Sequence, residues 1–445
     1  MTTSPRRLAL LAATPVLVLA VTSCSDDTSD TGTGAAPTST AAAALTLPDD
    51  GSTAATDGDA GSSTTAADTS DSTSTTACDG GAAPGPDDLT AALDRAMDEL
   101  VSMPGGPPAV VGVVQIGDEK TTHAAGVVDI TRDVEPTADD HMRVASVANA
   151  FSGATALSLV DEGVLSLDDT IGELLPDLPE AWADVTLRQL MSHTSGMPDI
   201  IKTEGFGEAV TASLDVAPPP EELLTYAYDE PLNFEPGTQY EYSNSDNIAV
   251  GLMIQAVTDR PYAEVLQERV LDPLGLDQTS LPEGVEVPEP FIHGYALAGG
   301  EPLEDVSDGL AAGWAWASGG VVSTPNDLND FIRGYVSGEL YSAEVRAEQQ
   351  TLFIPGGESG PPGPALNSAS LSLFRYDTPC GTVYGHTGNT VGFTQFAVAT
   401  PDGERSATVA INLQRNDGSE GQDAKVFDAL HRVEQAAICL LLEGA

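Results

Sequence analysis

The chain has 445 residues, 41% of them hydrophobic, with a formal net charge of −51 and a pI near 4.1. That length holds one large domain or two modest ones. The acidity argues against nucleic acid or an anionic membrane surface as a partner, because the long-range field repels both. Lysine is scarce: Lys120, Lys202 and Lys425 are the only three.

The N-terminus reads as an export signal. Arg6 and Arg7 form a positive n-region, and "LALLAATPVLVLAV" is an apolar run too short to span a bilayer comfortably. The paired arginines also give a weak hint of a twin-arginine route. "VTSC", Val21 to Cys24, follows and resembles a bacterial lipobox, which implies residues 1–24 as a signal peptide and Cys24 as a lipidated first residue. The other reading is ordinary cleavage with a free Cys24. Residues 25–85 are Ser, Thr, Ala, Gly and Asp with almost no aromatics. Such a segment cannot bury enough apolar area to offset its ordering entropy. It is expected to be a disordered tether holding a domain over residues 86–445 away from the membrane.

The folded part starts with "DDLTAALDRAMDELVSM" (Asp87–Met103), acidic at its start with helical apolar spacing. "PAVVGVVQIG" and "THAAGVVDIT" predict a hairpin around "DEK". "SVANAFSGATALSLVDEG" predicts a long helix ended by Gly163, followed by a helical and loop-rich stretch to about residue 300. In "STPNDLNDFIRGYVSG", Thr324 is the expected cap and Pro325 the first helical residue. "SLSLFRYD", "CGTVYGH", "GFTQFAVAT" and "SATVAINLQ" read as four consecutive strands, and "DAKVFDALHRVEQAAICLLLEG" as a closing helix. Strands at both ends with helices between predict an α+β fold. One antiparallel sheet is flanked by the terminal helices, and a mostly helical insertion forms a second lobe.

Beyond Cys24, the cysteines are Cys78, Cys380 and Cys439. An exported chain permits disulfides, and an odd count leaves one out. Cys380 with Cys439 is the favoured pair, stapling a strand to the last helix, with Cys78 unpaired. The alternative leaves all three free. No His, Cys and acid cluster has metal spacing, no glycine loop has phosphate-cradle spacing, and no cofactor is expected.

Three short stretches carry the chemistry. They are Ser146-Val147-Ala148-Asn149, Tyr242-Ser243-Asn244 and His386-Thr387-Gly388. Alone each is weak, since a serine at a helix start is more often an N-cap than a nucleophile. Together, in this order, they resemble the Ser-x-x-Lys, Tyr-x-Asn and Lys/His-Thr-Gly set of the serine hydrolases of the class C β-lactamase and D-alanyl-D-alanine carboxypeptidase group. Esterases and D-aminopeptidases belong to the same group. "VTLRQLMSHTSGMPD" and "GGVVSTPNDLNDF" look like further landmarks, so the resemblance covers about residue 85 to the end.

The resemblance implies a penicillin-recognising fold and an acyl-enzyme on Ser146. Tyr242 would shuttle the proton. The backbone N–H groups of Ser146 and Asn389 would form the oxyanion hole. Asn244 would hold the substrate amide, and Thr387, beside His386 and Gly388, its carboxylate or ring substituent. D-alanyl peptides of the cell wall, small esters or β-lactams would be the partners of a monomeric lipoprotein on the outer face of the cell membrane. One position departs from the pattern. Asn149 stands where the family has lysine, and it carries no charge and takes no proton at neutral pH. A free tyrosine has a pKa of about 10 and needs a nearby cation to act as a phenolate. Activity is therefore expected to be impaired. A non-catalytic protein binding peptidoglycan fragments or β-lactams, or an esterase, are the competing readings. Arg375 reads as a solvent-facing strand residue and Lys202 as a remote substitute cation near the cleft rim. His193 and Ser195 in "SHTSG" read as structural, since that landmark lies outside the family's catalytic set.

Overall fold

The computed structural model describes residues 85–296, 303–351, 354–355, 366–414 and 421–444. The leader, the tether, Cys24 and Cys78 lie outside the described residues.

Helix α1 (Pro86–Ser102) starts one residue earlier than the acidic run predicts. Pro86 takes the first helical position, where its missing N–H leaves no bond unmade. Its stripe of Leu89, Leu93, Met97 and Leu100 is buried. Each such side chain contributes about 1.5–3 kcal/mol on leaving water. Strands β1 (Ala109–Ile116) and β2 (Glu119–Gly126) form the expected hairpin, but Glu119 and Lys120 belong to the second strand rather than the connection. Only Gly117 and Asp118 turn the chain, with Gly117 at φ +59. A two-residue turn with a left-handed glycine matches the twist of paired strands, so the hairpin closes tighter than "DEK" implied.

The other strands of the large sheet are β3 (Ile354–Pro355), β4 (Leu366–Ala369), β5 (Phe374–Thr378), β6 (Gly381–Thr390), β7 (Phe393–Ala399) and β8 (Arg405–Ile411). Every pairing is antiparallel, in the order β2-β1-β8-β7-β6-β5-β4-β3. The N-terminal hairpin thus joins the C-terminal meander through β1 and β8. The central strands are buried on both faces, which explains their near-continuous apolar runs. On one face α1 and the closing helix α5 (Gly421–Glu443) pack over Val110, Val114, Val409 and Ile411. On the other lies the helical lobe, including α4 (Pro325–Ser337), whose Thr324 cap accepts from the Asp327 N–H at 3.2 Å.

At the centre of that lobe, α2 (Ala148–Asp161) packs against α3 (Asn244–Thr258). Helix α2 is buried almost all round, which is why it lacks a polar stripe. The hydroxyls of Ser152, Thr155 and Ser158 turn back onto the carbonyls of Asn149, Phe151 and Thr155 at 3.0, 2.9 and 2.8 Å. Cys380, in the β5–β6 turn, forms a disulfide with Cys439 of α5, their Cα atoms 5.2 Å apart. Among the described residues no helix is long and apolar enough to cross a membrane.

Candidate active site

Ser146 sits in a 3-10 turn, Ala145–Val147, that runs directly into α2, rather than in the first turn of one long helix. Ala145, just before it, has φ +52. A residue with a Cβ is strained there, at a cost of about 1–3 kcal/mol. The strand opposite helps to hold the turn. A Cβ on Gly388 would lie 2.3 Å from the Val144 carbonyl oxygen and 3.1 Å from the Val147 nitrogen. Glycine at 388 therefore lets β6 lie flush against the serine turn.

Strand alternation then places His386 on the same face as Gly388, opposite Ala397 of the helical-side core. Thr387 and Asn389 alternate to the other face, where Asn389 Oδ1 accepts from Thr394 Oγ1 at 2.9 Å. His386 is wholly buried. Its Nδ1 donates to the Thr387 carbonyl at 2.5 Å, which leaves Nε2 as a lone-pair acceptor with no partner. Burial, with repulsion from His193, pushes its pKa down to about 3 against the pull of that backbone bond. His386 is neutral at neutral pH.

Tyr242 precedes the start of α3, and the packing of α2 on α3 brings it to Asn149. Asn149 Nδ2 donates to Tyr242 Oη at 2.5 Å. Burial raises the phenol well above its ordinary range, and the charges of Asp199 and Asp246 add to that. Hydrogen bonds from Ser146 and Asn149 oppose it without reversing it. The phenol is therefore protonated at neutral pH. Asn149 is fully buried, and its Oδ1 has no partner; Asn247 Nδ2 reaches its backbone carbonyl at 3.3 Å and Ser152 Oγ at 2.8 Å. Ser146, Tyr242 and Asn244 are buried, with 7–8% of their surface exposed.

Asn244 is tied to a residue that carried no signal in the sequence. Its Nδ2 donates to both oxygens of Asp199, at 3.3 and 3.2 Å, and its backbone N–H donates at 3.2 Å. Burial raises Asp199 to about 6, opposed by the charge of Lys202 and the bonds from Asn244. Lys202 itself pairs with Glu241 at 3.0 Å, both partly exposed. Arg375 pairs with Asp377 on its own strand at 2.9 Å. Arg143, close before the serine in sequence, directs its guanidinium to the carbonyls of Val285 and Ser307 at 2.8 and 3.3 Å. Each of these three cations is thus engaged with a partner other than Ser146, Asn149 or Tyr242.

His193 stands against Tyr242, and Ser195 shares its partner Asp246. The His193 ring lies 4.3 Å from the Tyr242 ring, tilted by 37°. Its Nδ1 is 2.8 Å from Asp246, and the Ser195 hydroxyl donates to the other Asp246 oxygen at 2.5 Å. Among the described residues no group of three or more His, Cys, Asp or Glu could hold a metal ion.

The structure thus has a hydroxyl on a strained turn, with a tyrosine beside it and a strand glycine against it. The family model for Beta-lactamase matches residues 93–431. The chain belongs to the Beta-lactamase family. Its fold is shared with a penicillin-binding protein from Bacillus halodurans, at a TM-score of 0.61 and 17% identity, covering 73% of this chain and 95% of that one. Protein flp of Staphylococcus aureus strain N315 is 24% identical over 331 residues, covering 73% of this chain and 64% of that protein. The chain thus spans just under two thirds of that relative's length. The D-alanyl-D-alanine-carboxypeptidase/endopeptidase AmpH of Escherichia coli K12 is 26% identical over 276 residues, 60% of this chain and 68% of that protein. A crystal structure of a D-stereospecific amidohydrolase from Streptomyces sp. superposes with a TM-score of 0.65 at 28% identity, covering 76% of this chain and 97% of that one.

Sequence reading missed Asp199 and Asp246, and it set His193 aside. Asp246 lies four residues after Tyr242, inside the second motif's helix, so proximity to the motif was the one signal available.

Proposed function

We propose that this chain is an exported, lipid-anchored serine hydrolase in which Ser146 attacks an amide or ester carbonyl and becomes acylated. The observation that carries this reading is the turn itself: Ser146, with 8% of its surface exposed, stands beside Tyr242 and is seated against Gly388. The backbone N–H groups of Ser146 and Asn389 are the proposed oxyanion donors. Asn244 borders the substrate. The substrate class is D-alanyl or other D-aminoacyl peptides and amides, small esters or β-lactams. The activities for which AmpH and the Streptomyces amidohydrolase are named support that class. Cys24 supplies the lipid anchor of a monomer on the outer face of the membrane.

Activity is impaired by Asn149. A protonated Tyr242 bonded to a neutral amide cannot take the serine's proton directly, and loss of a general base commonly costs ~10²–10⁴-fold in rate. The same observation supports a second reading, a non-catalytic pocket that holds peptidoglycan fragments or β-lactams reversibly. Turnover of a p-nitrophenyl ester by the natural chain and by Ser146→Ala decides between them. The hydrolase reading expects slow turnover that vanishes with Ser146→Ala. Equal background rates in both would overturn it. Ester turnover without any penicillin labelling would mark an esterase.

A further inference from the structure

Asp199 and Asn244 hold each other at the first turn of α3. Ser243, just before that helix, is extended at φ −139 and ψ 129. Tyr242 and Asn244 therefore project to one side of the chain, about 7 Å apart along it. The loop carrying Asp199 is stapled to the helix by Ser245, whose hydroxyl donates to the Pro198 carbonyl at 2.7 Å and accepts from the Ile200 N–H at 3.0 Å. The Asp199 carboxyl accepts from Asn244 Nδ2 through both oxygens, from the Asn244 N–H at 3.2 Å and from the Ile201 N–H at 3.4 Å. A carboxylate only accepts, so the amide nitrogen of Asn244 faces it and Oδ1 faces away. Among the described residues nothing donates to that oxygen. It is not sealed in the interior either, but belongs to the 7% of Asn244 that reaches the surface. Beside Tyr242, Asn244 thus offers an incoming molecule an acceptor.

The surrounding charge points the same way. Lys202 is already paired with Glu241 at 3.0 Å, so these two cancel and the Asp199 carboxylate is left over. Asn149 brings no charge to Tyr242, and burial keeps His193 neutral. An outward carbonyl oxygen backed by an uncompensated carboxylate suits a cationic donor, since hydrogen bonds with an ionised partner are about twice as strong as neutral ones.

We propose that Asp199 sets the substrate preference of this site: it locks Asn244 with Oδ1 outward, to accept from the α-ammonium group of an aminoacyl amide. This narrows the substrate class of the proposed hydrolase reading and rests on that reading's placement of Asn244 at the substrate. The ammonium group lies on the carbon next to the carbonyl that Ser146 attacks. A cation held there also opposes the charge with which Asp199 raises the Tyr242 phenol. Asp199 acts through Asn244 and is a positioning residue.

The test uses two amides of one shape, D-phenylalanine amide and 3-phenylpropanamide, which differ only in the α-ammonium group. Their binding to the full-length chain is measured by calorimetry near pH 7, above the Asp199 value of about 6 and below the ~7.7–8.0 of an α-amino group. Ammonia release is followed in parallel, and thermal unfolding checks folding. The natural chain is expected to bind the ammonium-bearing amide ~10-fold or more tightly. Asp199→Asn removes the charge and lets the Asn244 carboxamide turn. It is expected to bring the ratio below about threefold while leaving the affinity for 3-phenylpropanamide unchanged. A merely structural Asp199 would weaken both amides alike and keep the ratio, which overturns the proposal. No preference in the natural chain, or no binding of either amide, overturns it as well. Should Asp199→Asn not fold, Asn244→Ala deletes the acceptor and is expected to abolish the same preference; a ratio that survives it overturns the proposal. Preferential binding with no ammonia release supports the ammonium site and overturns the hydrolase reading alone. Release from both amides at equal rates, abolished by Ser146→Ala, overturns the preference and leaves the hydrolase reading standing.

Discussion

On the Ser146 side of Tyr242 the bonded partners are neutral: a hydroxyl and a carboxamide. On the His193 side a carboxyl and an imidazole sit 2.8 Å apart. Both clusters are buried, and both draw on residues around the start of α3. They differ in what burial does. Neutral groups bury readily once they are bonded, so Asn149 and Tyr242 can pair without a counter-charge. Ionisable groups bury at a cost that only a partner relieves. The contrast teaches that a site without its motif cation is not a site without ionisable groups. Asp199 and Asp246 both raise the Tyr242 phenol, and no lysine at position 149 opposes them.

The comparison can be sharpened by putting the charge back. Asn149→Lys is expected to raise the rate of Ser146 acylation by ~10²–10⁴-fold, measured by stopped-flow with a chromogenic β-lactam or ester. An unchanged rate would mean that the Ser146 side was never limited by its missing cation.

A smaller effect comes from moving the serine without touching charge. Gly388→Ala sets a methyl 2.3 Å from the Val144 carbonyl. The turn must shift, and a displacement of about 1 Å is expected to cost ~10²-fold in acylation. The accompanying loss of stability is expected to be about 1–3 kcal/mol. Full activity with unchanged melting would show that β6 does not seat the serine.

Asp199 tests the charged surroundings through pH. Its folded pKa of about 6 lies above the ordinary carboxylate value near 3.8. The folded state therefore binds the extra proton, and this group's contribution to stability falls as pH rises from about 4 through 6. The full penalty, on the order of 3 kcal/mol, is reached above that window. Denaturant unfolding at pH 4 and pH 7 is expected to give a smaller pH-dependent loss for Asp199→Asn than for the natural chain. Equal slopes would show that Asp199 is not strained by burial.

The smallest effect on the site is expected from the disulfide. Cys380→Ser opens a link across 59 residues on the opposite face of the sheet. It is expected to cost about 2–4 kcal/mol of stability and to leave acylation unchanged. A change in acylation would tie α5 to the serine turn.

Much of this was legible in the sequence because it rests on backbone periodicity. The apolar runs of β1, β7 and β8 and the stripe of α1 announce themselves by spacing, and "STP" announces the cap and first turn of α4. The three motifs were legible because local chain shape holds their backbones: a 3-10 turn for Ser146, the approach to a helix for Tyr242, a strand for His386. Pairings between side chains distant in sequence were not legible. His193 meets Asp246 across 53 residues, and Asn244 meets Asp199 across 45, with no local pattern that marks either pair. Nor could spacing tell that Gly388 is required by its approach to Val144, or that the first hairpin turns on two residues.

The most direct test of the account is peptide mapping of the natural full-length chain after incubation with a penicillin. The account predicts a slow covalent adduct confined to the peptide carrying Ser146. Saturable, reversible binding with no adduct on that peptide would contradict it and leave the chain a binding protein on a hydrolase scaffold.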